Sequence, residues 1–322
     1  NELWNKTFGW QGSNEDAVDL APIGNIGAEN GYLILGRTAN GLFTSQPPTS
    51  WLIKINLMGD TCDYTNGNCD GPNAFVRIIG NKMTLMNQVI YQSDGFVLAG
   101  NTNSIGSVGM GGWLLKLNIP GNSCDYYSNA NCTGLNQFSR FYKFSGEFNS
   151  VSRVLSPAGY IIGGMFYSPS NGNYQFLLAK TNSTGDTCNF MTWGYCNDND
   201  KFATSNYPQN IYTSADKVIK ESFNGDYVFI GGSENSTSGE KKAFLAKARN
   251  DGYICTGLTP EGECAYLGSF VKILGRSGEN KFRSLKETSD QGYLLAGWTN
   301  SSNAGGKTQA WLIKTDINGE VN

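Results

Sequence analysis

The residues with reactive or ligating chemistry are few. Histidine is absent from all 322 residues. That removes Ser-His-Asp and Cys-His nucleophile arrangements and most catalytic zinc sites, which need imidazole as base or ligand. Eight cysteines stand in four local pairs: Cys62/Cys69, Cys124/Cys132, Cys188/Cys196 and Cys255/Cys264. Zinc knuckles space their cysteines more tightly, at about two to four intervening residues. The wider spacing predicts four disulfides, each closing a small loop, and an oxidising, extracellular setting. Carboxylates are the catalytic option that remains. Asp16, Asp19, Asp216, Glu221 and Glu287 fall on segments that read as innermost strands, and a glycoside hydrolase needs acids that converge. These acids do not recur at equivalent positions. The expectation is rim and turn carboxylates, with no catalytic residues and no enzyme; a carboxylate-dependent glycoside hydrolase is the low-ranked alternative.

Binding chemistry is also sparse. Asn197-Asp-Asn-Asp200 lacks the spaced glycine and terminal glutamate of a calcium loop, so neither metal nor cofactor is expected. Asn5, Asn131, Asn182, Asn235 and Asn300 each head an Asn-x-Ser/Thr sequence and are candidate N-glycosylation sites. Trp10, Trp193, Trp298 and Tyr167 are candidate platforms for stacking on glycans, and of these Trp10 and Trp298 deviate from the repeat described next. Net charge is −3, without a basic patch, which argues against nucleic acid. No apolar run is long enough for a transmembrane segment.

The elements that position these residues repeat five times. Tyr32-Leu-Ile-Leu-Gly36, Phe96-Val-Leu-Ala-Gly100, Tyr160-Ile-Ile-Gly-Gly164, Tyr227-Val-Phe-Ile-Gly231 and Tyr293-Leu-Leu-Ala-Gly297 are one motif, at intervals of 64, 64, 67 and 66 residues. Continuous hydrophobicity marks a strand buried on both faces. A semi-polar strand precedes each, as in Asp16–Ile23. A third follows: Trp51–Lys54, Trp113–Lys116, Leu177–Lys180, Phe244–Lys247 and Trp311–Lys314. A fourth is read at Phe75–Gly80, Phe141–Gly146 and Phe270–Gly275, with a poorly matched version around Phe202. The 41 glycines and 16% charged residues fit a turn-rich all-β chain.

Four antiparallel strands at this period predict a five-bladed β-propeller forming one domain over residues 1–322. The expected blades run about 14–80, 81–146, 147–206, 207–275 and 278–322. The fifth repeat ends after its third strand, while residues 2–9 resemble a fourth strand at the start of the chain. Residues 2–9 are therefore expected to complete blade 5 and close the ring. The same strand could be donated to a neighbouring copy instead. Trp51, Trp113 and Trp311 are expected in the core between blades. The repeated lysines are expected to lie with their stems over apolar surface and their heads in water or paired.

Trp4-Asn-Lys-Thr-Phe-Gly9, Gly31-Tyr-Leu-Ile-Leu-Gly-Arg-Thr38 and Trp311-Leu-Ile-Lys-Thr-Asp-Ile-Asn-Gly319 resemble the W-x-K-T-F-G, G-Y-I-L-A-G and W-L-I-K motifs of β-propeller repeat proteins that bacteria and archaea secrete or anchor at their surface. The resemblance covers essentially the whole chain. It implies blade-type repeats and a place outside the cell, and it names no activity. The cysteine-stapled insertions depart from the pattern.

The functional expectation is a non-catalytic extracellular protein, a glycosylated subunit of a surface layer, sheath or filament with an adhesive role. It would be secreted, its signal peptide already removed before Asn1. Its partners would be further copies or other surface proteins, or glycans. A lectin-like carbohydrate-binding propeller is the runner-up.

Overall fold

The computed structural model describes residues 3–10, 13–24, 30–38, 47–65, 67–71, 73–80, 82–103, 110–126, 131–169, 172–189, 196–198, 200–205, 211–220, 224–235, 238–255, 263–266, 268–275, 278–301 and 307–321. The protein is all-β, with five successive antiparallel sheets, one per repeat: the blade set of a five-bladed β-propeller. The chain divides into two compact units. Asn1–Lys143 holds the first two sheets and Phe144–Asn322 the last three.

The first sheet comprises β1 (Glu15–Ile23), β2 (Gly31–Thr38), β3 (Ser50–Asn56), β4 (Cys69–Gly71) and β5 (Ala74–Ile79). The second comprises β6 (Thr84–Gln92), β7 (Gly95–Thr102), β8 (Gly111–Leu117), β9 (Cys132–Gly134) and β10 (Gln137–Tyr142). The third has β11 (Gly146–Leu155), β12 (Ala158–Ser168), β13 (Asn173–Asn182), β14 (Cys196–Asp198) and β15 (Lys201–Thr204). The fourth has β16 (Ile211–Lys220), β17 (Tyr227–Asn235), β18 (Lys241–Ala248), β19 (Cys264–Tyr266) and β20 (Ser269–Leu274). The fifth has three strands: β21 (Asn280–Glu287), β22 (Tyr293–Thr299) and β23 (Gln309–Thr315).

The repeated motif explains the packing. Its closing glycine lies opposite the aromatic of the third strand: Gly36 opposite Trp51, Gly100 opposite Trp113, Gly231 opposite Phe244 and Gly297 opposite Trp311. A Cβ on Gly36 would fall 2.0 Å from a Trp51 ring carbon, so the glycine makes room for the indole. Each first strand carries a register shift at the same place, as between Ala17 and Asp19 or Ala215 and Lys217. Such bulges bend a strand and re-aim its side chains. In the first unit, Leu33, Leu35, Leu52 and Phe75 pack against Phe96, Leu98 and Trp113 in one core. Burying an apolar side chain of this size contributes about 2–3 kcal/mol. In the second unit, Phe176, Phe229 and Phe244 anchor one core and Phe270, Phe282 and Tyr293 another. Trp51 and Trp113 are core residues as expected, whereas Trp311 is half-buried, stacked on Phe282 at 4.7 Å.

Three expectations need correction. The first four sheets have five strands, not four, because the second cysteine of each pair opens a three-residue edge strand that pairs with the fourth strand of the repeat. In the second repeat, the strand that pairs with β8 is Gln137–Tyr142 rather than Phe141–Gly146. Phe138, opposite Lys116, is thus the equivalent of Phe75, opposite Lys54. Lastly, residues 3–10 form no strand, and the fifth sheet has no fourth strand among the described residues. Side-chain bonds tie this N-terminal segment to the first sheet.

All four expected disulfides are present, with S–S distances of 1.87–2.02 Å. The residue before the second cysteine secures three of these loops. Asn68, Asn131 and Glu263 accept hydrogen bonds from the backbone N–H groups of Ile78, Phe141 and Ile273. Four of the repeated lysines, Lys54, Lys116, Lys180 and Lys247, are buried, and Lys314 is exposed. Lys116 meets Asp94 at 2.6 Å, Lys247 meets Asp226 at 3.8 Å and Lys314 meets Asp290 at 2.9 Å.

Candidate functional site

The two ends of the repeat array hold the features best suited to recognition. The first is the outer edge of β23. Its equivalents β3, β8, β13 and β18 are each paired with a further strand and almost wholly buried. β23 pairs with β22 on one side and, on the other, makes only the single bridge of Thr315 to Val321 among the described residues. Leu312 is 66% exposed, while the equivalent Leu52, Leu114, Leu178 and Leu245 are fully buried. An unpaired edge presents a row of backbone donors and acceptors ready for another strand.

The second feature is the N-terminal segment. The Trp4 indole N–H donates to the Leu57 carbonyl at 3.0 Å, and Lys6 Nζ meets Asp60 at 3.1 Å. That hydrogen bond, followed by one from Asn56, holds the Asp60 carboxyl below its ordinary range. The Trp4 ring lies against Gly59, within 3.0 Å of where a Cβ would stand. The same contact recurs between fourth strands and the turn of the following sheet: Phe75 on Gly121, Phe202 on Gly252 and Phe270 on Gly319. Lys6 likewise matches Lys272, which reaches Glu320 in the turn after β23. Residues 4–8 therefore meet the first sheet as a fourth strand meets its neighbour, without belonging to a sheet.

Between this segment and the first sheet runs a groove of about 910 Å³, lined by Trp4, Phe8, Leu20, Tyr32, Ile34 and Trp51. The equivalent face of the second sheet, carrying Phe96, Leu98 and Trp113, is sealed by residues of the first. Tyr32 and Ile34 are only half-buried.

Of the candidate acids, Asp19 and Asp216 have structural partners. Asp19 accepts the Val89 backbone N–H at 2.9 Å. Asp216 pairs with Lys281 at 3.2 Å and accepts from the Ser214 hydroxyl. Asp16 is exposed, Glu287 is half-buried at the end of β21, and Glu221 lies outside the described residues. Asp198, from the calcium-like run, pairs with Lys201 at 3.1 Å.

Trp10 is no open stacking platform. Its indole N–H donates to the Tyr64 carbonyl, and its ring packs edge-on against Trp51 and Tyr64 at 6.2 and 5.1 Å. Trp298 is half-buried on β22, Tyr167 packs edge-on against Tyr174, and Trp193 lies outside the described residues. Among the sequons, Asn5 and Asn131 are exposed. Asn182 and Asn300 are half-buried and cap backbone N–H groups of Thr184 and Asp186, and of Glu279. The Asn235 side chain lies outside the described residues.

No protein-family model and no curated protein matches the chain.

The sequence pointed to the strand-like N-terminus but missed the groove beside it. The signal for that groove was available: Tyr32, Ile34 and Trp51 match Phe96, Leu98 and Trp113 position for position.

Proposed function

We propose that the protein is a non-catalytic, extracellular structural subunit that associates with further copies of itself, as a building block of a surface layer, sheath or filament. The observation that carries this reading is the unpaired edge of β23 with Leu312 exposed on it. Its partner is the N-terminal segment of a second copy. The register follows from the other sheets, where Phe75 stands opposite Lys54 and Arg77 opposite Leu52, and Phe270 opposite Lys247. By that equivalence Trp4 pairs opposite Lys314, Lys6 opposite Leu312 and Phe8 opposite Ala310. Main-chain hydrogen bonds give such a strand addition its affinity, and alternate side chains give it specificity. A contact between two different surfaces of one chain is head-to-tail, and it propagates wherever its rotation does not close a ring.

The stapled loops fit exposure outside the cell, since each disulfide restrains a surface loop. Asn5 and Asn131, the exposed sequons, are the best-placed glycan carriers. Electron microscopy of the native material tests the reading. Regular filaments or sheets are expected. Dispersed single particles at high concentration would overturn it.

A further inference from the structure

Fourth strands carry a basic residue two positions after their leading aromatic: Phe75-Val-Arg77, Phe138-Ser-Arg140 and Phe270-Val-Lys272. In the third sheet the same register holds Phe202-Ala-Thr204, with Phe202 opposite Lys180 as Phe75 is opposite Lys54. Arg77 shows what the basic residue does. Its Nη1 donates to the carbonyls of Cys69 and Val76 at 2.8 and 3.0 Å. Its Nη2 donates to Asp70 at 2.5 Å and to the Pro120 carbonyl at 2.8 Å, and Nε donates to the Gly121 carbonyl at 3.0 Å. The guanidinium carbon stands 5.1 Å from the centre of the Phe75 ring. Arg140 repeats the pattern on its own sheet, with Cys132, Ser139, Thr133 and the Phe138 ring.

Around Thr204 the surroundings persist while the strand carries threonine in place of the basic residue; Arg249, on the neighbouring turn, stands 5.4 Å from the centre of the Tyr253 ring. Cys196 stands for Cys69, Asn197 for Asp70, Ala203 for Val76 and Phe202 for Phe75. The neighbouring turn also corresponds. Gly252 N–H donates to the Arg249 carbonyl at 2.8 Å, as Gly121 N–H donates to the Asn118 carbonyl, and both glycines have positive φ. Asp251 and Gly252 thus replace Pro120 and Gly121. Cys196, Asn197, Phe202, Ala203, Asp251 and Gly252 line a pocket of about 480 Å³ together with Thr204, which is 5% exposed. Asp251 already pairs with Arg249 at 2.6 Å. Recognition would therefore rest on backbone carbonyls, Asn197 and the Phe202 face.

We propose that this pocket binds a guanidinium group supplied from outside the chain, on an arginine side chain or a small arginine derivative. A planar fork of N–H donors suits several carbonyl acceptors converging beside an aromatic face, which a point-charge ammonium matches less well. The volume exceeds that of the guanidinium alone and leaves room for an alkyl stem.

The test titrates the intact protein with methylguanidinium and, separately, with Nα-acetyl-arginine methylamide, following backbone amide resonances; urea at equal concentration is the uncharged control. Saturable shifts centred on Phe202, Thr204 and Gly252 are expected with the cations and not with urea. Tighter binding of the arginine derivative would assign a side chain as the source, and equal binding a free compound. Thr204→Arg should fill the pocket with the chain's own cation, weaken binding at least about tenfold and raise the melting temperature. If Thr204→Arg does not fold, Arg77→Thr should open a matching pocket in the first sheet and be restabilised by methylguanidinium. No saturable shift at the pocket, equal effects of urea, or an Arg77→Thr variant indifferent to methylguanidinium would overturn the proposal.

Discussion

The fourth and fifth sheets share one compact unit and the same repeat motif. Phe244-Leu-Ala-Lys247 on β18 and Trp311-Leu-Ile-Lys314 on β23 hold the same places in their repeats. Yet Leu245 is fully buried and Leu312 is 66% exposed. Lys247 has 5% of its side chain exposed and Lys314 has 42%. What separates them is the strand that follows. β20 pairs with β18, whereas β23 has no such neighbour among the described residues. Burial of a third strand is therefore conferred by its fourth strand and not written into its own residues.

Substitution at the paired leucines gives the sharpest test. Leu245→Ala should cost about 3–5 kcal/mol by chemical denaturation, through lost burial and the cavity left behind. Leu312→Ala should cost less than about 0.5 kcal/mol in dispersed protein. Equal costs would break the comparison. The lysines come next. Lys247→Ala leaves Asp226 in a buried place without its counter-ion and should cost about 3 kcal/mol. Lys314→Ala acts on an exposed pair and should cost less than about 1 kcal/mol. The staples rank third. Replacing Cys124 and Cys132 by Ser should remove about 2–3 kcal/mol, the amount expected from closing a short loop.

The smallest effect is on pH dependence. Burial pushes Asp226 above the ordinary carboxylate range, against the pull of Lys247. Its folded state takes up a proton more readily than the unfolded chain does. Its contribution to stability therefore falls as pH rises from 3.8 through its folded value. Asp290 behaves oppositely. The Thr288 hydroxyl, followed by Lys314, holds it at about 2. Its contribution is present above 3.8 and is lost as pH falls towards 2. Carboxyl resonances followed by pH titration should separate the two; a shared midpoint would contradict the contrast.

Much of the fold was legible because each repeat must bury the same faces. The Tyr-x-x-x-Gly runs, the third strands and the cysteine pairs all stand where periodicity placed them. The fourth strand of the second repeat was misread because aromatic residues crowd Phe138 to Phe144, and Gly146 mimics the closing Gly80. Cysteine spacing would have fixed it: the leading aromatic follows the second cysteine by six residues at Phe75, Phe138, Phe202 and Phe270. At the candidate site, the strand-like character of residues 2–9 was legible from Lys6, Phe8 and Gly9. Where that segment lies was not: Trp4 and Lys6 are held by the turn at Leu57–Asp60, as Phe270 and Lys272 are held by the turn at Gly319–Glu320, and such contacts between one repeat and the next show in no single repeat's residues.

The central claim is that β23 takes its missing strand from a second copy. Lys6→Cys and Leu312→Cys, placed opposite each other by the repeat register, can be combined in one chain and oxidised mildly. The cross-linked products are then sized without reductant. The account predicts a ladder of covalent multimers. Cross-links confined to single chains, or none at all, would contradict it.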